Sequence, residues 1–287
     1  MIRLLTIDFP GFLKASRIPS LAIITITQIL TAIFLVSNLP NKYEIIHSIN
    51  FFLLIASTLM IAAGGFIIND YYDQKIDMIN RPEKVIVGTK FRRRLAMLSH
   101  LFLSITGIAI GFWLDVRIGA VHILSAFGLW YYSNHLRRLP IIGNITISFI
   151  TSLTLLIVAV FFRSHEPLVY IYSLFAFFTV FVREIIKDIE DVKGEAAAGC
   201  QTIPVVWGIR GAKFFIYMII IAGGFLLLTF ILTTESRLVQ YYFILLVPVF
   251  AWFIYKLAIS DRQQHYVHLR MITNLIILSG LLSMSMI

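Results

Sequence analysis

Two groups of acidic side chains stand at spacings that place each group on one face of a helix. The first group is Asp70, Asp73 and Asp77, and the second is Asp188, Asp191 and Glu195. Positions i, i+3 and i+7 share a helix face, so each group predicts a row of carboxylates. Polar and cationic neighbours accompany both rows, namely Asn69 in the first stretch and Arg183 and Lys187 in the second.

Carboxylates that lie close together repel one another, and a bound cation relieves that repulsion. The two rows offer only oxygen ligands, which favour Mg²⁺ first and Mn²⁺ second. Mg²⁺ is usually shared between carboxylates and substrate phosphates. Two such rows facing each other across a cavity therefore predict a site for a Mg²⁺-bound diphosphate. Lysine and arginine side chains would supply the remaining phosphate contacts.

The chain that carries these rows is strongly apolar. It has 287 residues, of which 59% are hydrophobic and 14% charged, and its mean hydropathy is +0.88. Soluble domains average about 25% charged residues, so most of this chain is expected to lie in lipid. The lipid bilayer is thus its first predicted partner.

A membrane crossing needs about 20 residues of apolar helix. Nine stretches qualify, at 19–37, 48–68, 95–114, 117–134, 142–162, 167–186, 212–233, 239–258 and 269–286. We expect an all-α polytopic membrane protein with a single domain over 1–287. Its nine transmembrane helices would form one bundle around a central cavity that opens to the cytoplasmic side.

The 24 lysines and arginines predict the orientation. Nearly all of them fall on the side of the N-terminus and of both acid rows, and the other side keeps Lys42, Arg117, Arg163 and Arg237. The positive-inside rule then places the N-terminus and the acid rows in the cytoplasm, with the protein in the cell (inner) membrane. The charge flanks membrane spans, so no nucleic-acid partner is expected. The single cysteine, Cys200, leaves no disulfide partner.

The acid rows resemble those of the UbiA-type intramembrane prenyltransferase superfamily. That family has nine transmembrane helices and carries N-D-x-x-D-x-x-x-D and D-x-x-D-x-x-x-D motifs on two cytoplasmic loops. Asn69 to Asp77 match the first motif in full, and the second matches with Glu195 in place of its last aspartate. Further similar positions are Asn80-Arg81-Pro82, Tyr132-Ser133, Arg137-Arg138, Gly143-Asn144, Thr202-Ile203-Pro204 and Gly208.

The resemblance implies an enzyme that transfers a prenyl group from a prenyl diphosphate donor to a lipophilic acceptor, with Mg²⁺ as cofactor. It implies that the two acid rows are metal ligands and that Asp73, Asp191 and Lys187 are catalytic. Candidates for contact with the diphosphate are Arg81, Lys84 and Lys187, with Arg17 as a weaker one. Other candidates for substrate binding are Asn69, Arg183, Tyr72, Tyr132 and Asn144.

The stretch 69–84 is most similar to the branch of the family that prenylates geranylgeranylglyceryl phosphate. That branch continues R-P-I-P-S-G, where this chain reads Lys84-Val85-Ile86-Val87-Gly88. A phosphate-bearing acceptor would use extra cations, and the basic cluster formed by Lys90, Arg92, Arg93 and Arg94 is a candidate source. An aromatic quinone precursor is the alternative acceptor.

Two readings from other classes predict different behaviour. A cation transporter would place acids near the bilayer midplane, whereas these acids lie at one rim of the predicted bundle. A purely structural scaffold would leave the acid rows without a role, and replacing Asp73 or Asp191 would then be silent.

Overall fold

The computed structural model describes residues 9–36, 44, 47–233 and 237–287. These residues form helices and contain no β-strand, so the predicted all-α class is confirmed. The α-helices are α1 Phe9–Ala15, α2 Ile18–Leu30, α3 Ile49–Tyr72, α4 Gln74–Asn80, α5 Arg93–Leu114, α6 Val116–Asn134, α7 Ile142–Phe162, α8 Pro167–Ala197, α9 Ile203–Thr233, α10 Arg237–Ala258 and α11 Gln263–Ser283. A π-helical turn, Thr31–Leu35, continues α2.

Eight of the described helices are long and apolar enough to cross a membrane. The chain is therefore a multi-pass membrane protein. The fourth predicted span, 117–134, is the helix α6, which is not one of these eight, and the count of nine stays a prediction. The end of the first predicted span, at 37, lies outside the described residues.

The sixth predicted span, 167–186, lies on a helix that continues beyond it. This helix, α8, runs on to Ala197, about three further turns. The added stretch is rich in Glu, Lys and Ala, which favour helix. The helix therefore continues past the end of the apolar run. As a result the whole second acid row lies on a continuous helix.

Backbone contacts divide the described residues into two compact units. The first unit takes the described residues among 1–29 and 39–136, and the second takes those among 30–38 and 137–287. The predicted single domain and central cavity stay predictions.

In the first unit α3 is the central helix, packed against α1, α5 and α6. Polar side chains join these helices inside their apolar surroundings. His122 Nε2 pairs with Ser57 Oγ at 2.8 Å, and His100 Nδ1 pairs with the Gly64 carbonyl oxygen at 3.1 Å. Such bonds between membrane helices fix their register, and here they set the position of α3, whose last turn begins the first acid row.

Gly107 on α5 allows a close approach to α3. A Cβ atom at this position would lie 3.0 Å from the Ser57 carbonyl oxygen and 3.0 Å from Ile61 Cδ1. We expect Gly107→Leu to destabilise the protein by about 1–3 kcal/mol, because the backbone of α3 would have to move. The measurement is the thermal unfolding midpoint in detergent. Ala109→Leu, at an exposed position of the same helix, serves as the matched control and should unfold as the wild type does.

In the second unit α8 is the central helix, packed against α7, α9 and α11. Its buried face joins Ile185, Ile186 and Ile189 to Ile203 and Ile216 of α9. The central helix of each unit therefore carries an acid row at its C-terminal end.

The helix α9 is broken near its start. Gly208 has φ +70° and ψ 171°, a backbone conformation that residues with a Cβ rarely adopt. The break separates a short first segment, 203–207, from the long apolar part of the helix.

Candidate functional site

The first acid row lies where α3 passes into α4. The backbone N–H of Asp73 donates to the Asn69 carbonyl at 2.9 Å, and that of Asp77 donates to the Asp73 carbonyl at 2.9 Å. Helical hydrogen bonding therefore continues through the junction. It keeps Asp70, Asp73 and Asp77 at the helical spacing that the sequence predicts.

Each of the first two acids of this row is held by a donor. The Asn69 amide Nδ2 donates to Asp73 Oδ2 at 2.6 Å, and Asp73 is only 4% exposed. The Arg17 guanidinium donates to Asp70 Oδ1 at 2.5 Å and lies over the Phe66 ring, 5.2 Å from its centroid. Arg17 has φ +52°, which is unusual for a residue with a side chain. The turn between α1 and α2 thus takes a strained form where it presents Arg17 to the row.

The segment after the first row folds back on it. Gln74 Nε2 donates to the Val87 carbonyl at 2.8 Å, and Val87 and Phe91 are buried against Ile67. The predicted substrate residues in this region differ in exposure. Arg81 and Tyr72 are half-buried, while Lys84 is exposed in a short 3₁₀ turn.

The second acid row is more deeply buried than the first. Asp188, Asp191 and Glu195 on α8 are 7%, 2% and 1% exposed. The Asn144 amide Nδ2 of α7 donates to Asp188 Oδ2 at 2.6 Å. The Thr202 hydroxyl donates to Glu195 Oε2 at 2.6 Å. A neighbouring helix and the turn before α9 therefore fix the two ends of the row.

The donors around the second row leave an oxygen of Glu195 for a ligand. In the described structure Glu195 Oε1 is buried and has no hydrogen-bond partner, while the buried Arg137 side chain acts on the same carboxylate through its charge. Burial raises the pKa of the nearby Cys200 thiol, so the sulfur stays protonated at neutral pH and is a poor metal ligand. The row therefore offers oxygen ligands only, as Mg²⁺ prefers.

Neither acid row forms a complete cation site from its own side chains among the described residues. Within the described residues no three His, Cys, Asp or Glu side chains converge closely enough to hold an ion by themselves. Mg²⁺ commonly takes one or two carboxylates and fills its remaining positions with water and phosphate oxygens. The donor set fits a Mg²⁺ ion that arrives with a diphosphate.

Among the other predicted residues, Lys187 and Arg183 both contact an acid that the sequence reasoning did not select. Arg183 bonds to Glu184, and Lys187 Nζ lies 3.9 Å from Glu184 Oε2. Glu184 is 5% exposed and stands one turn before Asp188, so it extends the acid row towards the apolar part of α8. Its i, i+4 spacing from Asp188 was the available signal. Tyr132 is buried on α6, in the first unit.

The chain is similar in sequence to known prenyltransferases. Residues 25–275 match the UbiA prenyltransferase family. A digeranylgeranylglyceryl phosphate synthase of Methanothermobacter thermautotrophicus is 32% identical over 202 residues, which is 70% of this chain and 69% of that relative. One of Thermococcus kodakarensis is 30% identical over 207 residues, 72% of each chain. A third, of Methanothrix thermoacetophila, is 35% identical over 158 residues, 55% of this chain and 59% of that relative.

Solved structures show the same fold. A structure of digeranylgeranylglyceryl phosphate synthase in membranes has a TM-score of 0.72 at 21% identity, with 96% of this chain and 97% of that chain covered. A UbiA homolog from Archaeoglobus fulgidus bound to GPP and Mg²⁺ has a TM-score of 0.70 at 15% identity, with 96% and 99% covered.

Proposed function

We propose that this chain, which belongs to the UbiA prenyltransferase family, transfers a geranylgeranyl group from its diphosphate to geranylgeranylglyceryl phosphate and requires Mg²⁺. The names of the three relatives support this acceptor, and the Archaeoglobus homolog bound to GPP and Mg²⁺ supports the donor class and the metal. The observation that carries the proposal is the pair of acid rows at the ends of α3 and α8, in which Asp73 and the whole second row are buried.

The reaction breaks the bond between C1 of the prenyl chain and the diphosphate oxygen, and the electron pair leaves with the diphosphate. The acceptor hydroxyl oxygen forms the new bond to C1, and the departing diphosphate takes the hydroxyl proton. Bound Mg²⁺ would supply Lewis-acid stabilisation of the leaving group. We assign its ligands to the two acid rows, namely Asp70, Asp73, Asp77, Asp188, Asp191 and Glu195.

The chain's own side chains orient these acids and neutralise charge. Asn69 and Asn144 each donate to one carboxylate oxygen, so the remaining oxygens are fixed in direction. We assign Arg81, Lys84 and Lys187 to the diphosphate, where preorganised cations stabilise the charge that develops on the leaving group. Arg17 would exchange its bond to Asp70 for a phosphate oxygen when the donor binds. Tyr72 and Tyr132 are assigned to shielding the prenyl cation with their ring faces.

The orientation is part of the proposal. We place the N-terminus and both acid rows on the cytoplasmic side of the cell membrane, because nearly all the lysines and arginines fall on that side. The diphosphate head of the donor would then reach the acid rows from the cytoplasmic side.

The test is an assay of the purified protein in detergent with labelled geranylgeranyl diphosphate and Mg²⁺. Geranylgeranylglyceryl phosphate and an aromatic quinone precursor are supplied in parallel. We expect a labelled lipid only with the glyceryl phosphate, and we expect EDTA to abolish it and excess Mg²⁺ to restore it. Product only with the aromatic compound would contradict the proposed acceptor but would still support a prenyl transfer reaction. Cation uptake into vesicles in the absence of any prenyl donor would instead support a transporter.

A further inference from the structure

The seam between α8 and α11 carries a cluster of two half-buried arginines, each paired with a glutamate, that the proposed reaction has not yet used. Arg183 Nε of α8 donates to the Asn274 Oδ1 of α11 at 2.7 Å. Arg270 Nε of α11 donates to Glu190 Oε2 of α8 at 2.8 Å. The two arginine side chains are 29% and 22% exposed, so both are partly open to a ligand.

Charges on helices that cross a membrane are costly and usually serve a function. The ion pairs with Glu184 and Glu190 explain part of this cluster, but they leave donors over. A guanidinium has five N–H groups, and among the described residues Arg270 uses only Nε. Its two terminal nitrogens are left over, and a guanidinium binds phosphate through a pair of parallel hydrogen bonds.

An apolar cavity of about 610 Å³ begins next to this cluster. Val182 and Thr273 line the cavity, and they are the chain neighbours of Arg183 and Asn274. The rest of the wall comes from apolar faces of α8, α9, α10 and α11, including Phe178, Gly224, Phe250 and Ile276. The arginines and the apolar volume are thus neighbours along α8 and α11, and this order matches the polarity of a phosphate ester with a long hydrocarbon chain.

The cluster also stands close to the second acid row along α8. Arg183 precedes Asp188 by five residues, about 1.4 turns and 7.5 Å of helix rise. That rise is comparable with the length of a glycerol unit. Along the helix axis, a phosphate held at Arg183 would therefore place the glycerol hydroxyl level with a diphosphate held at Asp188.

We propose that this seam is the acceptor site. Arg270, Arg183 and Asn274 bind the phosphate of the acceptor, and the cavity holds its isoprenoid chain. The inference rests on the proposed function, and it selects one of two cationic clusters. The other cluster, formed by Lys90, Arg92, Arg93 and Arg94, is exposed, and none of its residues lines this cavity.

The phosphate half is tested by comparing geranylgeranylglyceryl phosphate with geranylgeranylglycerol, which lacks the phosphate. We expect Arg270→Gln to lower the preference for the phosphate ester about 10- to 100-fold by raising the KM for that acceptor. The KM for geranylgeranyl diphosphate should stay unchanged. The substitution removes the Arg270 guanidinium from buried Glu190, so the double variant Arg270→Gln/Glu190→Gln is measured as well. Arg210→Gln, at an exposed position on α9, is the control.

The proposed binding of the acceptor's isoprenoid chain is tested by filling the cavity. No described atom lies within 4 Å of a Cβ placed on Gly224, so Gly224→Leu projects into open space without a clash. We expect it to raise KM at least tenfold for the acceptor with a twenty-carbon chain and much less for one with a five-carbon chain. Ala222→Leu, exposed on the same helix and outside the cavity, is the matched control.

The outcomes separate the inference from the proposed function. If the wild type makes no product with the phosphate ester, both fail. If the wild type makes product and the Arg270 double variant keeps its preference for phosphate, the acceptor site is wrong while the function stands. Loss of that preference in Arg94→Gln would place the phosphate at the exposed cluster instead and would also overturn the inference.

Discussion

Replacing Asp191 with asparagine is expected to lower the rate of prenyl transfer by at least about 10²- to 10³-fold. The amide has the same size as the carboxylate but has no negative charge for a cation. Asp191 is 2% exposed on a helix that also carries Asp188 and Glu195. Removing one of three like charges lowers their mutual repulsion, so we expect the metal-free variant to be as stable as the wild type or more stable.

The measurement pairs initial rates at saturating Mg²⁺ with the unfolding midpoint of the metal-free protein. Asp261→Asn, an exposed acid between α10 and α11, is the control and should keep the wild-type rate. Near-normal transfer by Asp191→Asn would show that the second row binds no catalytic metal. A large drop in stability would indicate that Asp191 serves the fold instead.

Asp73→Asn is expected to cause a comparable loss, because the first row would lose its most buried carboxylate. The Asn69 amide that now donates to Asp73 Oδ2 would face an amide, which can still accept through its oxygen. The local helix junction should therefore survive. Glu83→Gln, an exposed acid ten residues further on, is the matched control.

The combination of both substitutions tests whether the two rows serve one reaction. Groups that act as a unit show strongly non-additive losses. We expect Asp73→Asn/Asp191→Asn to be little slower than either single variant. Losses that multiply would mean that the rows act independently, and the assignment of both to one diphosphate would be wrong.

The acid rows could be predicted from the sequence because helical spacing is a local property. Asp70, Asp73 and Asp77 share a face in any regular helix, and the hydrogen bonds at Asp73 and Asp77 show that the helix continues there. The all-α membrane class followed in the same way from composition. Each row lies at the end of the central helix of a compact unit. This position could not be predicted from the sequence, because it depends on which helices pack together.

Partners that come from distant parts of the chain are harder to find. Asn274 on Arg183 is a contact set by tertiary packing, and an asparagine is not distinctive in a sequence. Arg270 was counted only among the basic residues that set the orientation. Its pairing with Glu190 became visible only once α11 lay against α8.

The glycine break in α9 has a mechanical consequence. Membranes differ in thickness, and a long apolar helix adapts to its bilayer by tilting. A rigid α9 would transmit such a tilt to Thr202 and, through its 2.6 Å bond, to Glu195. The non-helical backbone at Gly208 interrupts α9 between its apolar length and the short segment before it, so a tilt of the apolar length is not passed on through one continuous helix. A break at this position would therefore shield the second acid row from changes in the thickness of the surrounding lipid.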